Sequence, residues 1–205
     1  MKLVKTFIFI CVFLHCSFIP AQKEAATKID YSDLFQKNLK FISNGFILPV
    51  GKNGSGKGYY VAQGFGVKNK KFGGNFHLGE DWNGVGGGNT DYGDPVYSVS
   101  NGLVVFAGFG GPGWGDVIRI IHFVSNKKSE YFVESVYGHV SKMFVKEGDF
   151  VKKGFKIAEI GDANGIYPAH LHLELRDNPD MELGGGYASE LTGFLNPRKF
   201  IKKHK

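Results

Sequence analysis

Pro168-Ala-His-Leu-His-Leu-Glu-Leu-Arg176 contains the stretch that decides the class of fold. From His170 onward it reads as a β-strand, whose successive side chains point to opposite faces. His170, His172 and Glu174 then share one face, while Leu171, Leu173 and Leu175 take the other. A polar face backed by an apolar one is a platform laid on a core. The rest of the chain after Lys40 follows the same grammar, with short runs rich in Val, Ile, Phe and Tyr punctuated by glycine. Strands are predicted at Phe46–Val50, Tyr59–Phe65, Pro95–Val99, Leu103–Ala107, Val117–Phe123, Tyr131–Tyr137, Lys156–Ile160 and His170–Arg176. No segment after Lys40 keeps a 3.6-residue apolar period, and no repeat recurs. The fold class is all-β.

Composition agrees. Glycine supplies 30 of 205 residues, about twice ordinary usage, and aromatics 15%, as expected of strands joined by many tight turns. Ahead of this region, Gln22 to Lys40 is polar, with one short helical stretch in which Ser32 is placed to cap and Phe35 and Leu39 share a face. It is a short N-terminal helical arm leading into a domain that spans residues 41–197.

The formal charge of +6 raises the question of a nucleic-acid partner, and its distribution answers it. Leaving out Lys2 and Lys5 brings the basic count from 25 to 23, against 19 acidic residues. Leaving out Arg198, Lys199, Lys202, Lys203 and Lys205 as well gives 18 against 19. The body is near neutral and the basicity sits in a tail, residues 198–205. A phosphate-backbone groove needs its cations on one face of the fold, so no nucleic-acid partner is expected.

Met1 to Ala21 has the form of an export signal: Lys2 and Lys5, then the apolar run Phe7 to Leu14, then His15 and Pro20, with Ala21 as the last residue removed. The run is too short for a membrane span, so no stable membrane insertion is expected once it is removed. Cys11 and Cys16 both lie within it, which leaves the exported protein without cysteine. Its stability must then come from the core, with a metal as the available staple.

Two motifs are only apparent. Gly51-Lys-Asn-Gly-Ser-Gly-Lys-Gly58 matches a phosphate-binding loop up to Lys57, but Gly58 replaces the magnesium-binding hydroxyl and a strand follows where a helix is needed. Lys146-Glu-Gly-Asp-Phe-Val-Lys-Lys-Gly154 has the hairpin look of a biotinyl or lipoyl carrier but no lysine at an exposed tip.

The motifs that remain are His77-Leu-Gly-Glu-Asp81 and His170-Leu-His172. Gly73, Gly74 and Gly79 make a helix unfavourable, so Phe76 to Trp82 is expected to be extended, with His77, Gly79 and Asp81 pointing one way. Two imidazoles and a carboxylate suit Zn²⁺, and three protein ligands leave a fourth position for water, as in catalytic sites. His77, Asp81 and one histidine of the His170-x-His172 pair make such a set, leaving the other and His139 unliganded. There is no H-E-x-x-H to supply a glutamate base, and two spare histidines with near-neutral pKa can serve instead. His122, in Ile120-Ile-His-Phe123, is isolated and reads as a core histidine satisfied by a neighbouring carbonyl.

Taken together, His77-x-x-x-Asp81, Tyr137-Gly-His139 and Pro168-Ala-His-Leu-His172 resemble the three signatures of the lysostaphin- and LytM-type zinc metallopeptidases. Gly93-Asp-Pro-Val-Tyr-Ser98, Asn101-Gly-Leu-Val104, Gly115-Asp-Val-Ile118 and Val151-Lys-Lys-Gly154 are similar to that family's strands and turns, so the likeness runs from about Asn75 to Glu174. The resemblance implies an antiparallel β-sheet with an active-site groove and one Zn²⁺ per chain, held by His77, Asp81 and His172. It also implies His139 and His170 as the catalytic pair and a peptidoglycan cross-link peptide as substrate. A monomeric zinc endopeptidase exported to the periplasm, cell envelope or medium is the resulting expectation. Two other readings stand beside it: a non-catalytic regulator of other wall hydrolases, and an endopeptidase for glycine-rich proteins.

Departures from the family pattern concern the groove. Asn164-Gly-Ile-Tyr-Pro-Ala169 puts Tyr167 and Pro168 where small residues are common. The glycine-rich loop from Asp81 to Pro95 reads either as a mobile groove edge or as a plain surface turn. The basic tail reads either as a binder of anionic wall polymers or as a solvated terminus.

Overall fold

A computed structural model describes residues 30–127 and 129–205; the expected export signal, with Cys11, Cys16 and Ala21, lies outside them. Among the described residues the strands are β1 Tyr59–Gln63, β2 Lys68–Asn69, β3 Asn75–His77, β4 Glu80–Gly84, β5 Pro95–Tyr97, β6 Gly102–Phe109 and β7 Asp116–Asn126. They continue with β8 Ser129–Met143, β9 Phe150–Val151, β10 Lys156–Ile160, β11 Leu171–Arg176, β12 Tyr187–Ala188 and β13 Phe194–Leu195. Two short helices, α1 Tyr31–Gln36 and α2 Pro197–Lys203, flank them. The fold is all-β and antiparallel. The main sheet runs β1-β4-β11-β8-β7-β6-β9, with β10 bridging β5 and β8 and β13 beside β11; a small sheet runs β12-β3-β2.

Alternation along β7 explains why both faces of the main sheet are covered. Ile118, Ile120 and Val124 enter the principal core with Leu171, Leu173 and Leu175 of β11. Ile121 and Phe123 turn the other way and pack with Phe35 of α1, Phe132 and Phe150. Val117 joins Trp114 and Val136 in a third cluster on that side. His122 falls on the principal-core side and is fully buried. Its ring nitrogens are taken up by the Asn101 carbonyl at 2.8 Å and the Ser135 hydroxyl at 2.7 Å.

Three expectations about local structure need correction. Phe46–Val50 is not a strand, although Phe46 and Val50 are buried. Its backbone bonds in turn to His204, Val99 and Gly54, threading between elements instead of pairing with one, and Pro49 lacks the N–H a ladder needs. In the arm, Ser32 lies inside α1 instead of capping it. The helix stops at Gln36, so Phe35 is buried while Leu39 is exposed.

The basic end is not a solvated tail. Asn196 caps α2 by accepting from Lys199 N–H, Pro197 opens the helix, and Ile201 inserts into the core. Seven helical residues with one buried face are too few to show as a period. The phosphate-loop look-alike forms turns leading into β1. At Gly51 (φ 77°) a Cβ would stand 2.8 Å from two backbone nitrogens, so the loop closes on itself and leaves no cradle.

Candidate metal centre

Three strands bring the polar residues together. Asp81 on β4 pairs with His172 on β11, which pairs on its other side with Gly138 on β8. His77 comes from the small sheet, at the end of β3, opposite Tyr187 of β12. The run Phe76 to Trp82 is therefore two strands in two sheets, not one extended segment. Gly79 makes the crossing possible: a Cβ there would lie 2.5 Å from the Leu173 carbonyl and 2.8 Å from His172 Nε2. Chain and strand approach so closely that only glycine fits, and His77 and Asp81 still converge.

His77 Nε2 lies 3.2 Å from Asp81 Oδ1 and 3.1 Å from His172 Nδ1, and His172 Nδ1 lies 2.9 Å from Asp81 Oδ1. Bonds of 2.0–2.1 Å to a tetrahedral ion require donors about 3.3 Å apart, which this triangle nearly matches. The outer ring nitrogens have their own partners: Gly64 O for His77 Nδ1 at 3.3 Å, Glu174 Oε1 for His172 Nε2 at 3.1 Å. With those N–H groups turned outward, the lone pairs of both imidazoles face Asp81. Three electron-rich atoms this close need a cation or a proton among them. Burial disfavours a charged His172, but Asp81 and Glu174 at its two nitrogens raise its pKa to about 9. Burial also opposes charge on Asp81, yet when protons instead of a metal occupy the inner nitrogens, hydrogen bonds from His172 and His77 hold it well below the ordinary carboxylate range. The cluster could hold a metal ion.

His139 and His170 stand beside it, with ring centroids 4.6 Å apart. His139 sits where the β7–β8 register slips and has a left-handed backbone, φ 63°. A non-glycine residue there carries about 1 kcal/mol or more of strain. The bulge aims its ring: the His139 backbone N–H and Nδ1–H both donate to the Trp114 carbonyl at 3.0 Å. His170 Nδ1–H donates to Pro168 O at 2.8 Å, and its Nε2 is 3.8 Å from Asp81 Oδ1. Each histidine thus keeps an Nε2 lone pair free for chemistry. Burial, then the nearby His172 and His170, lower the His139 pKa to about 3, so this ring is neutral at ordinary pH.

All five residues line a groove of about 540 Å³. Tyr167 packs near His139 and His170, at 5.2 and 6.0 Å between centroids, so the bulky turn does form the wall there. Near His77 the wall is Tyr187, stacked on Phe72 at 3.9 Å and accepting from Gln63 Nε2 at 2.9 Å. The glycine-rich edge is Gly110–Gly113 with Gly185 and Gly186, not the loop from Asp81 to Pro95. That loop braces the turn before His170, since Asn89 Oδ1 accepts from Ala169 N–H at 2.8 Å.

Sequence reasoning did not reach Trp114, Tyr187 or the role of Glu174. Trp114 fills the space left by Gly138, where a Cβ would stand 2.8 Å from the indole. Glu174 was visible as a member of the His170-His172 face, but alternation alone does not show that its carboxylate bonds His172 and Arg176 along the same strand.

The model of peptidase family M23 matches residues 76–182, just over half of the chain and all five residues of the cluster. The chain belongs to peptidase family M23. It is 42% identical over 84 residues to the lipoprotein NlpD/LppB homolog of Pseudomonas aeruginosa, covering 41% of this chain and 26% of that protein. It is 36% identical over 84 residues to the murein hydrolase activator NlpD of Escherichia coli, covering 41% of this chain and 20% of that one. The chain thus spans about a quarter and a fifth of the length of these two relatives. Among solved structures, the catalytic domain of the antimicrobial peptidase lysostaphin from Staphylococcus simulans is similar with a TM-score of 0.52 and 26% identity. The match covers 70% of this chain and 92% of that one. The lysostaphin-like M23 fold is the one described above.

Proposed function

We propose that this M23 protein is an exported, zinc-dependent endopeptidase that hydrolyses peptide cross-links of peptidoglycan. The observation that carries the reading is the convergence of five polar side chains on one groove. His77, Asp81 and His172 are turned inward as ligands, and His139 and His170 are held with free Nε2 atoms. Two imidazoles and a carboxylate, without thiolates, fit Zn²⁺ in a catalytic setting. When bound, zinc supplies Lewis acidity, polarising a carbonyl and lowering the pKa of water toward about 7.

The protein's own residues do the rest. The groove holds an extended peptide with its scissile carbonyl beside Asp81. As water adds to the carbonyl carbon, one of His139 and His170 accepts its proton at Nε2. The imidazolium so formed gives that proton to the amine as the C–N bond breaks, and the other ring hydrogen-bonds the developing oxyanion when it carries a proton at Nε2. The Nδ1–H bonds to Trp114 and Pro168 keep both rings in place through the cycle.

The peptidoglycan assignment draws support from relatives named as murein hydrolase activator and from the likeness to lysostaphin. Export draws support from the lipoprotein relatives and from the leader-like first 21 residues. The names of the activator relatives favour a second reading, in which this protein regulates other wall hydrolases without cutting. Filled positions at all five site residues favour the enzyme. Zinc content and release of new amino groups from purified sacculi discriminate the two. One zinc per chain and amine release abolished by a chelator support the enzyme. Stoichiometric zinc with no release, together with stimulation of a separate wall amidase, would support the regulator.

A further inference from the structure

Glu174 and Arg176 lie on the His172 face of β11, and both are fully buried. The polar face read from the sequence as a platform is covered beyond His172. Glu174 assigns its two oxygens to different partners. Oε1 accepts from His172 Nε2–H at 3.1 Å, and Oε2 accepts from Arg176 Nε and Nη2 at 2.9 and 2.6 Å. Arg176 also donates to the carbonyls of Glu182 at 3.0 Å and Leu183 at 2.7 Å, in the loop that leads to the groove glycines. Its Nη1 stands 3.6 Å from buried Glu134, which is held in turn by Arg119 at 2.7 Å.

Burying such a chain of charges is costly, and apolar residues of the same volume commonly pack at least as stably. Stability alone does not account for it. What an apolar filling cannot do is decide which nitrogen of an imidazole carries the proton. We propose that Glu174 is the positioning residue for His172: its carboxylate fixes the Nε2–H tautomer and so directs Nδ1 toward Asp81 and His77. Arg176 holds the carboxylate in place and ties it to the groove-wall loop. The proposal rests on reading His77, Asp81 and His172 as metal ligands. Because both oxygens are in use, glutamine is not an adequate replacement. Its single carbonyl oxygen serves either His172 or Arg176, and its amide then faces a donor.

The test is zinc affinity of the full chain by chelator competition, for wild type, Glu174→Gln and Glu174→Asp, with thermal melting and ¹⁵N-histidine NMR alongside. Glu174→Gln is expected to melt cooperatively yet bind zinc about 10- to 100-fold more weakly. Glu174→Asp, which keeps two oxygens, recovers part of that loss. Zinc-loaded wild type gives a check that needs no variant: a slowly exchanging His172 Nε2–H is expected, and an Nδ1–H tautomer overturns the proposal. A folded Glu174→Gln with wild-type affinity also overturns it. Wild type that binds no zinc refutes the metal-site reading itself, and the inference falls with it.

Discussion

Among single residues, those that would hold the ion are distinct from those that would move protons. His172→Ala removes Nδ1 from the triangle and is expected to abolish both zinc binding and hydrolysis. His139→Ala leaves the three ligands intact, so zinc stoichiometry should persist while the rate falls about 100-fold or more. Zinc content and rate measured on the same samples check both, and loss of zinc from His139→Ala would mean the ligand set is wrong. Gly79→Ala drives a Cβ against the Leu173 carbonyl and the His172 ring. It is expected to cost about 1–3 kcal/mol in urea denaturation and to weaken zinc binding. His77, Asp81, His139, His170 and His172 were legible because each lies in a short local pattern. The rest of the Glu174 network was not, because Arg176, two residues along β11, is in turn paired with Glu134 of β8 and, through it, Arg119 of β7, which are distant in sequence.

At the scale of elements, strands with clear alternation were read nearly to their ends, as with β11 and β10. Alternation failed at Phe46–Val50, where backbone partners come from three places, and at α2, where one turn of buried face gives no period. The structure makes α2 part of the site's support. Arg198 Nε donates at 2.8 Å to Glu80, a buried carboxylate next to Asp81 whose other oxygen has no partner. Arg198→Ala should therefore destabilise the fold by about 2 kcal/mol, measured by urea denaturation. His122 joins β7 to β8 and to Asn101, and full burial lowers its pKa to about 4. Below pH 6.5 the unfolded chain takes up the proton that folded His122 refuses, so stability falls as pH falls, down to about pH 4. The loss from this group between pH 7.5 and pH 5 is about 2 kcal/mol. Replacing it in His122→Gln should narrow the stability gap between wild type and variant by that amount over the same interval. Parallel curves would contradict this.

At the scale of the whole molecule, charge bookkeeping located the basicity correctly at the C-terminus but not its form, because Ile201 docks that segment on the core. The groove and its Tyr167 wall beside His170 were foreseen, whereas the wall beside His77 was not. Residues such as Phe72 and Tyr187 are 115 positions apart and meet only through the pairing of β12 with β3 in the small sheet. The arrangement places the His-Asp-His cluster, the two spare histidines and the groove together, and the proposed function is that this unit cuts peptide bonds in the wall. Mass spectrometry of muropeptides from purified sacculi, treated with zinc-loaded protein and with zinc-loaded His139→Ala, tests it most directly. The account predicts loss of cross-linked dimers with wild type, products whose masses identify the bond, and an unchanged profile with His139→Ala. An unchanged profile with zinc-loaded wild type would contradict it.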